Sequence, residues 1–334
     1  MSARPLFISV LLAALFFAAV ANAQQSIVVP GAPAQTITVP QDPAVPALQQ
    51  RADKTDAAVA ALTKQVEAAN AAIAALQPKT AEPTVAAADV LFGVDPAKAL
   101  KAQTPVLGYE ACGVNLISTS APEAILCNGT ARISLVVDPA DATRKVLRLA
   151  QQPGDPVIGG QPRTELNFSR SGAPPLETPL VRSFQIYLPV WNATTATYLL
   201  AQVHWDGSGF LNPAMALKVM SGKWRLDIRH GTTSQVNQVV NADLGPIATG
   251  RWINFVQRFK LSPAGQGYLE TWIDGVKAHS YTGPFGYAKG TPFIKQGLYP
   301  LDSPVGQAIL LRGPWLVRDT GLTVPQLSAW VATK

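Results

Sequence analysis

Three short segments carry polar side chains at a spacing of two, which puts residues on one face of a β-strand. Arg163 and Glu165 flank Thr164, Gln202 and His204 flank Val203, and Lys295, Gly297 and Tyr299 alternate through Phe293–Tyr299. The intervening Val203, Ile294 and Leu298 are apolar and suit a core-facing side. A sheet that gathers Arg, Gln, His, Lys and Tyr on one face is equipped for β-elimination in a chain of uronic acids. The proton beside a uronate carboxylate is only weakly acidic until the carboxylate charge is neutralised. Arg and Gln hydrogen bonds to that carboxylate stabilise the enolate-like state in which charge develops. A neutral His, with an unperturbed pKa of about 6.5, can take the proton. A Tyr, unperturbed near about 10, can protonate the leaving glycosidic oxygen, or serve as the base where nearby cations favour its anion. The scheme needs no metal and no organic cofactor. It leaves open whether a calcium ion braces a loop.

Other chemistries lack their parts. His204, His230 and His279 are the three histidines, and no two sit at zinc-ligand spacing or beside a cysteine cluster. There is no phosphate-cradling glycine loop, no G-x-S-x-G elbow, and no paired-carboxylate motif of the kind a retaining glucanase needs. Carboxylates are sparse, 21 against 27 basic side chains, so a hydrolytic pair is hard to assemble.

The elements that must position these residues read as β-strands. From about residue 91, short alternating runs recur between Gly, Pro, Asn and Asp punctuation. They are Arg132–Val137, Val146–Ala150, Arg182–Leu188, Thr197–His204, Ala214–Met220, Trp224–Arg229, Trp252–Leu261, Gly267–Ile273 and Phe293–Tyr299. Asp274-Gly275 is a tight hairpin signal. The expected fold is all-β: a concanavalin-like β-sandwich jelly roll over residues 91–334, without helical stretches. Trp205, next to the proposed base, is expected to border the groove, His230 to lie in a turn and His279 to be exposed.

The remainder of the chain has a different texture. Of the 334 residues, the first 90 carry 5 basic and 6 acidic side chains, and every Trp and Tyr lies after residue 100. Arg4, the apolar stretch Leu6–Val20 and the small residues Ala21-Asn22-Ala23 predict a signal peptide over residues 1–23. Residues 24–46 form a Pro/Ala-rich linker. Leu48, Ala52, Thr55, Val59, Leu62, Val66, Ala69, Ile73 and Leu76 alternate at spacings of four and three, predicting a coiled-coil helix over residues 47–77. A second linker, residues 78–90, follows. These features predict a secreted or periplasmic protein with no membrane span after signal removal, self-associating through residues 47–77. In such a compartment Cys112 and Cys127, the two cysteines, are expected to form a disulfide. The 22 basic and 15 acidic side chains after residue 90 suit an acidic polysaccharide, and export argues against nucleic acid as partner.

The three segments together resemble a known family. Arg163-Thr164-Glu165-Leu166, Gln202-Val203-His204 and Phe293-Ile294-Lys295-Gln296-Gly297-Leu298-Tyr299 are similar, in order, to the signature strands of jelly-roll alginate lyases. The stretch from Trp252 through Gly267, Trp272-Ile273-Asp274-Gly275 and Lys295–Tyr299 looks more like the related glucuronan lyase and heparin lyase I group. The resemblance covers roughly residues 91–320. It implies that Arg163 and Gln202 hold the uronate carboxylate, that His204 is the base or assists Tyr299, and that Tyr299 is the acid. Glu165 would orient Arg163, and Lys295 would line the groove. Asn167 stands where the alginate enzymes usually have another Arg, and Pro300-Leu301 where they usually have Asn-Gln. Both departures weaken alginate as the substrate and leave the elimination machinery intact. A non-catalytic, lectin-like carbohydrate-binding sandwich is the alternative.

Overall fold

The computed structural model describes residues 85–103, 107–168, 173–192, 195–207, 212–231, 237–302 and 305–334, with residues 50, 51, 53–55, 58, 59, 61 and 65. The chain separates into two compact units, Met1–Thr80 and Ala81–Lys334. In the first unit the described positions are all helical, and the Thr55 hydroxyl donates to the Arg51 carbonyl at 2.9 Å. The expected signal peptide, the first linker and the rest of the heptad segment lie outside the described residues, as does the second linker up to residue 84.

The second unit is two antiparallel sheets packed face to face. The front sheet runs, in spatial order, β3 (Val114–Ile117), β2 (Gly108–Ala111), β9 (Thr164–Asn167), β18 (Thr291–Pro300) and β11 (Tyr198–Asp206). It continues through β12 (Met215–Met220), β13 (Lys223–Gly231) and β14 (Asn237–Pro246). The back sheet runs β4 (Ile125–Cys127), β5 (Thr130–Asp138), β6 (Asp141–Gln151), β19 (Gln307–Arg318), β10 (Leu180–Tyr187), β15 (Trp252–Lys260), β16 (Ser262–Ile273) and β17 (Val276–Tyr287). β1 (Val90–Gly93) pairs with the far end of β19. At one edge the end of β17 pairs in parallel with β13 and links the sheets. A two-residue pair, β7 (Val157–Ile158) with β8 (Gln161–Pro162), stands apart.

Alternation decides which side chains meet. On β13, Trp224, Leu226 and Ile228 turn inward and are buried, while Arg225, Asp227 and Arg229 take the other face. Tyr109, Leu166, Val203, Leu217, Ile294 and Leu298 line the inner face of the front sheet, opposite Leu149, Phe184, Ile186, Phe255, Phe259 and Leu269 of the back sheet. All nine expected strands are present, and Asp274-Gly275 makes the expected turn with φ of 50° and 80°. The disulfide joins Cys112, just past β2, to Cys127 at the end of β4, tying one edge of the front sheet to one edge of the back.

One α-helix and three single 3-10 turns, Ala87–Asp89, Leu100–Ala102 and Ser118–Ser120, depart from the expected helix-free domain. Val324–Ala332 forms α1, opened by a capping box in which Thr323 and Gln326 exchange hydrogen bonds. Its Leu327, Trp330 and Val331 cover Val181, Val256 and Val317 on the outer face of the back sheet. Among the described residues no helix is long and apolar enough to cross a membrane.

Candidate active site

The three polar segments become neighbouring strands, β9, β18 and β11, in the middle of the front sheet. Register aligns them into one row: Asn167 opposite Lys295, Lys295 opposite Gln202, Gln202 opposite Ala216, Ala216 opposite Asp227, and Asp227 opposite Asn241. Side chains in such a row share a face of the sheet. In the next row Glu110 of β2 faces Glu165 of β9, which faces Gly297 of β18. Gly297 is required there by space. A Cβ on it would lie 2.6 Å from the Glu165 Cα and closer still to the Thr164 carbonyl. The missing side chain lets β9 and β18 approach and brings Arg163 alongside Tyr299.

Two facing carboxylates would repel each other, but cations sit between them. Lys295 Nζ donates to both oxygens of Glu110 at 2.9 and 2.8 Å and lies 3.8 Å from Glu165. One Arg163 nitrogen, Nη1, is 3.5 Å from each carboxylate. Asn167 donates to Glu110 at 2.7 Å, and the Gln202 amide donates to Glu165 at 2.6 Å. The two acids respond oppositely. Burial pushes Glu110 up, but Lys295, Asn167 and Arg163 together hold it below the usual carboxylate range. Glu165 is fully buried, and that desolvation raises it despite Lys295 and Arg163, with the charge of Glu110 adding to the rise.

Around this lattice stand the two partly exposed members. His204, two residues beyond Gln202, rests its ring against Phe293 with centroids 5.2 Å apart. Its Nδ1 accepts the Trp205 N–H at 2.8 Å and lies 3.1 Å from the Trp205 carbonyl. The Arg163 guanidinium lies 4.0 Å over the Tyr299 ring and donates to the Gly159 carbonyl at 3.4 Å. The face therefore joins an imidazole, a phenol and a guanidinium above a neutralised ionic layer. Among the described residues no cluster of His, Cys, Asp and Glu is arranged to hold a metal ion.

Comparison with known proteins adds the decisive observation. A family described as polysaccharide lyase matches residues 118–310, more than half of the chain, across the strands that hold these groups. The chain belongs to the polysaccharide lyase family. No curated protein sequence matches it. Among solved structures, an endo-β-1,4-glucuronan lyase from the fungus Trichoderma reesei is similar at 17% identity, over 56% of this chain and 86% of that one, with a TM-score of 0.49. A family 7 alginate lyase solved with its product shares 10% identity over 64% of this chain and 95% of that one, with a TM-score of 0.46. The alginate lyase AlyC3 shares 12% over 64% and 90%, with a TM-score of 0.44.

Several placements in the lyase differ from the sequence reading. Trp205 does not border the groove. It follows His204 on the same strand, so alternation turns it inward, where it is 3% exposed and packs edge-on against Tyr287. Glu165, expected among the substrate-binding residues as the one that orients Arg163, is sealed beneath its partners at 0% exposure, 3.5 Å from Arg163. Arg163 and Gln202 each hold an internal carboxylate partner. His230 lies in β13 instead of a turn, and His279 is half-buried on β17, where burial lowers its pKa. Glu110 was missed altogether. The alternation of Tyr109 and Glu110 in Gly108–Ala111 was its signal, in a strand too short to stand out.

Proposed function

We propose that this lyase cleaves a uronate-containing acidic polysaccharide, glucuronan-, heparin- or alginate-like, by β-elimination outside the cytoplasm. The observation that carries the reading is that one sheet face holds Arg163 stacked on Tyr299 at one end and His204 at the other, with buried Gln202, Glu165, Lys295 and Glu110 between them.

In this reading the substrate carboxylate approaches Gln202, whose amide has a second N–H beyond the one given to Glu165, together with Arg163 and the His204 ring. These donors stabilise the charge that develops on the carboxylate as the adjacent proton leaves. Proton abstraction falls to Tyr299, which stands beside the cationic Arg163, with the His204 ring assisting. The base takes the proton from the carbon that bears the carboxylate. The electron pair released forms a carbon–carbon double bond, the neighbouring carbon–oxygen bond breaks, and the leaving glycosidic oxygen receives a proton from the tyrosine. Lys295 and Glu165 fix the donors without touching the reacting atoms. Asn167, bonded to Glu110 where the alginate enzymes usually carry Arg, supports a uronate other than those of alginate. The heptad helix over residues 47–77 would join copies and raise local valency on a polymer.

The test is to offer the purified protein a panel of glucuronan, alginate and heparin-type chains and follow the ultraviolet absorbance of the unsaturated product. Activity on at least one is expected, with Tyr299→Phe and His204→Ala folded and without turnover. Retained binding with no absorbance on any chain would favour the lectin-like alternative. Near-wild-type turnover in either variant would remove that residue from the mechanism. A monomeric mass for the mature chain in solution would refute self-association.

A further inference from the structure

Behind the site, between the two sheets, lies an unusual charge. Arg182 of β10 turns inward and is 0% exposed. Its guanidinium donates through Nε and Nη2 to the Gln257 Oε1 of β15 at 3.1 and 2.7 Å. Nη1 crosses the core and donates to the backbone carbonyl of Gln202 at 3.1 Å, and Nη2 lies 4.0 Å from the Met215 sulfur of β12. The Phe184 ring is 5.1 Å away. None of these neighbours is titratable, and no neighbouring charge offsets the burial, which lowers the guanidinium to about 9 and leaves it cationic at neutral pH. A buried cation without a counter-ion is costly, and an apolar residue of similar volume commonly stabilises a fold relative to it. Its retention beneath one particular strand calls for a role in what that strand does.

That strand is β11, which is irregular here. Its register shifts between Leu199 and Ala201 against both β18 and β12, immediately before Gln202 and His204. The Arg182 contact falls on the second residue after the shift. Groups on the outward face have partners there: Glu110 and Glu165 with Lys295 and Arg163, Asp227 with Lys218 and Arg229, and His204 with Phe293 and the Trp205 peptide. The buried guanidinium is thus an unbalanced positive charge behind the face where elimination must build negative charge.

We propose that Arg182 is a positioning residue of the lyase: held against the Gln202 carbonyl from the core side, it fixes the irregular strand and supplies positive potential that favours the less protonated, anion-stabilising state of the site. The proposal rests on the reading of His204 and Tyr299 as the reacting pair. Removing the potential raises the affinity of both groups for protons, so both limbs of the pH–rate profile move to higher pH.

The experiment compares Arg182→Met and Gln257→Glu in the full chain. The latter keeps both acceptor bonds while neutralising the charge. In each, urea denaturation, the pH profile of kcat/KM and the NMR titration midpoint of His204 are measured. Arg182→Met and Gln257→Glu are expected to move both limbs and the His204 midpoint upward by roughly one pH unit, the effect of a nearby unit charge at an effective dielectric near about 20. Their kcat at neutral pH should fall at least tenfold. Folded variants with wild-type limbs and an unmoved His204 midpoint overturn the proposal. If Arg182→Met fails to fold, Gln257→Glu decides. Because the His204 titration needs no turnover, an enzyme inactive on every polyuronide would sink the functional reading while still reporting on Arg182.

Discussion

Replacing Gly297 by Ala probes the contact on which the site geometry depends. The added methyl would stand 2.6 Å from the Glu165 Cα, nearer still to the Thr164 carbonyl, and 3.1 Å from Leu149 Cδ2. Two of these atoms are backbone, so the strands must separate; a comfortable carbon contact begins near about 3.5 Å, which asks β9 and β18 to part by roughly 1 Å. Overpacking of this kind costs about 1–3 kcal/mol, at the upper end when backbone must move. The same displacement carries Arg163 away from Tyr299 and Glu165 away from Gln202, contacts now at 4.0 Å to the ring and 2.6 Å. A misplacement of that size in a catalytic constellation costs on the order of 100-fold in rate. Urea denaturation and initial rates of ultraviolet absorbance measure the two effects on the same preparation. A Gly297→Ala protein with wild-type stability and wild-type rate would refute the argument that this close approach assembles the site.

Three further outcomes follow from other parts of the domain. Gln296 is 0% exposed with neither amide atom hydrogen-bonded, so Gln296→Leu should stabilise the fold by about 1–3 kcal/mol in urea denaturation, and a loss of stability would contradict this. Reducing the Cys112–Cys127 bridge, which spans 15 residues of sequence, should lower stability by about 3 kcal/mol, and unchanged denaturation under reductant would count against it. Glu165 has a raised pKa in the folded state, so its contribution is fully present below its unfolded pKa and is lost as pH rises through the folded value. Glu165→Gln keeps an acceptor for Gln202 and should remove that loss with rising pH, and a variant with the same decline in stability would show that the carboxylate is not its source.

Much of this arrangement was legible because strand alternation is local. The period-two pattern put Gln202 and His204 on one face and Val203 on the other, and the two sheets keep that division. The same rule, applied to the next residue, would have turned Trp205 inward; its aromatic ring and its place beside His204 drew it to the groove instead. What alternation does not reveal is partnership between strands far apart in the chain. Glu110 meets Lys295 across 185 positions, and no feature of Gly108–Ala111 announces the pairing. Arg182 read as one residue of an apolar strand, since only the packing of two sheets shows that its charge lies beneath Gln202. The C-terminal helix was missed because its nine residues make barely more than two turns, with the Thr323–Gln326 box as their signal.

The central claim is that bond cleavage here is elimination, performed by the face that carries His204 and Tyr299. The most direct measurement is digestion of glucuronan in water labelled with heavy oxygen, with mass spectrometry and ultraviolet absorbance of the fragments followed together. Elimination predicts unsaturated fragments that absorb in the ultraviolet and carry no label from the solvent, and their loss in Tyr299→Phe. Fragments that are saturated and carry one solvent oxygen per bond broken, at the new reducing end, would contradict it.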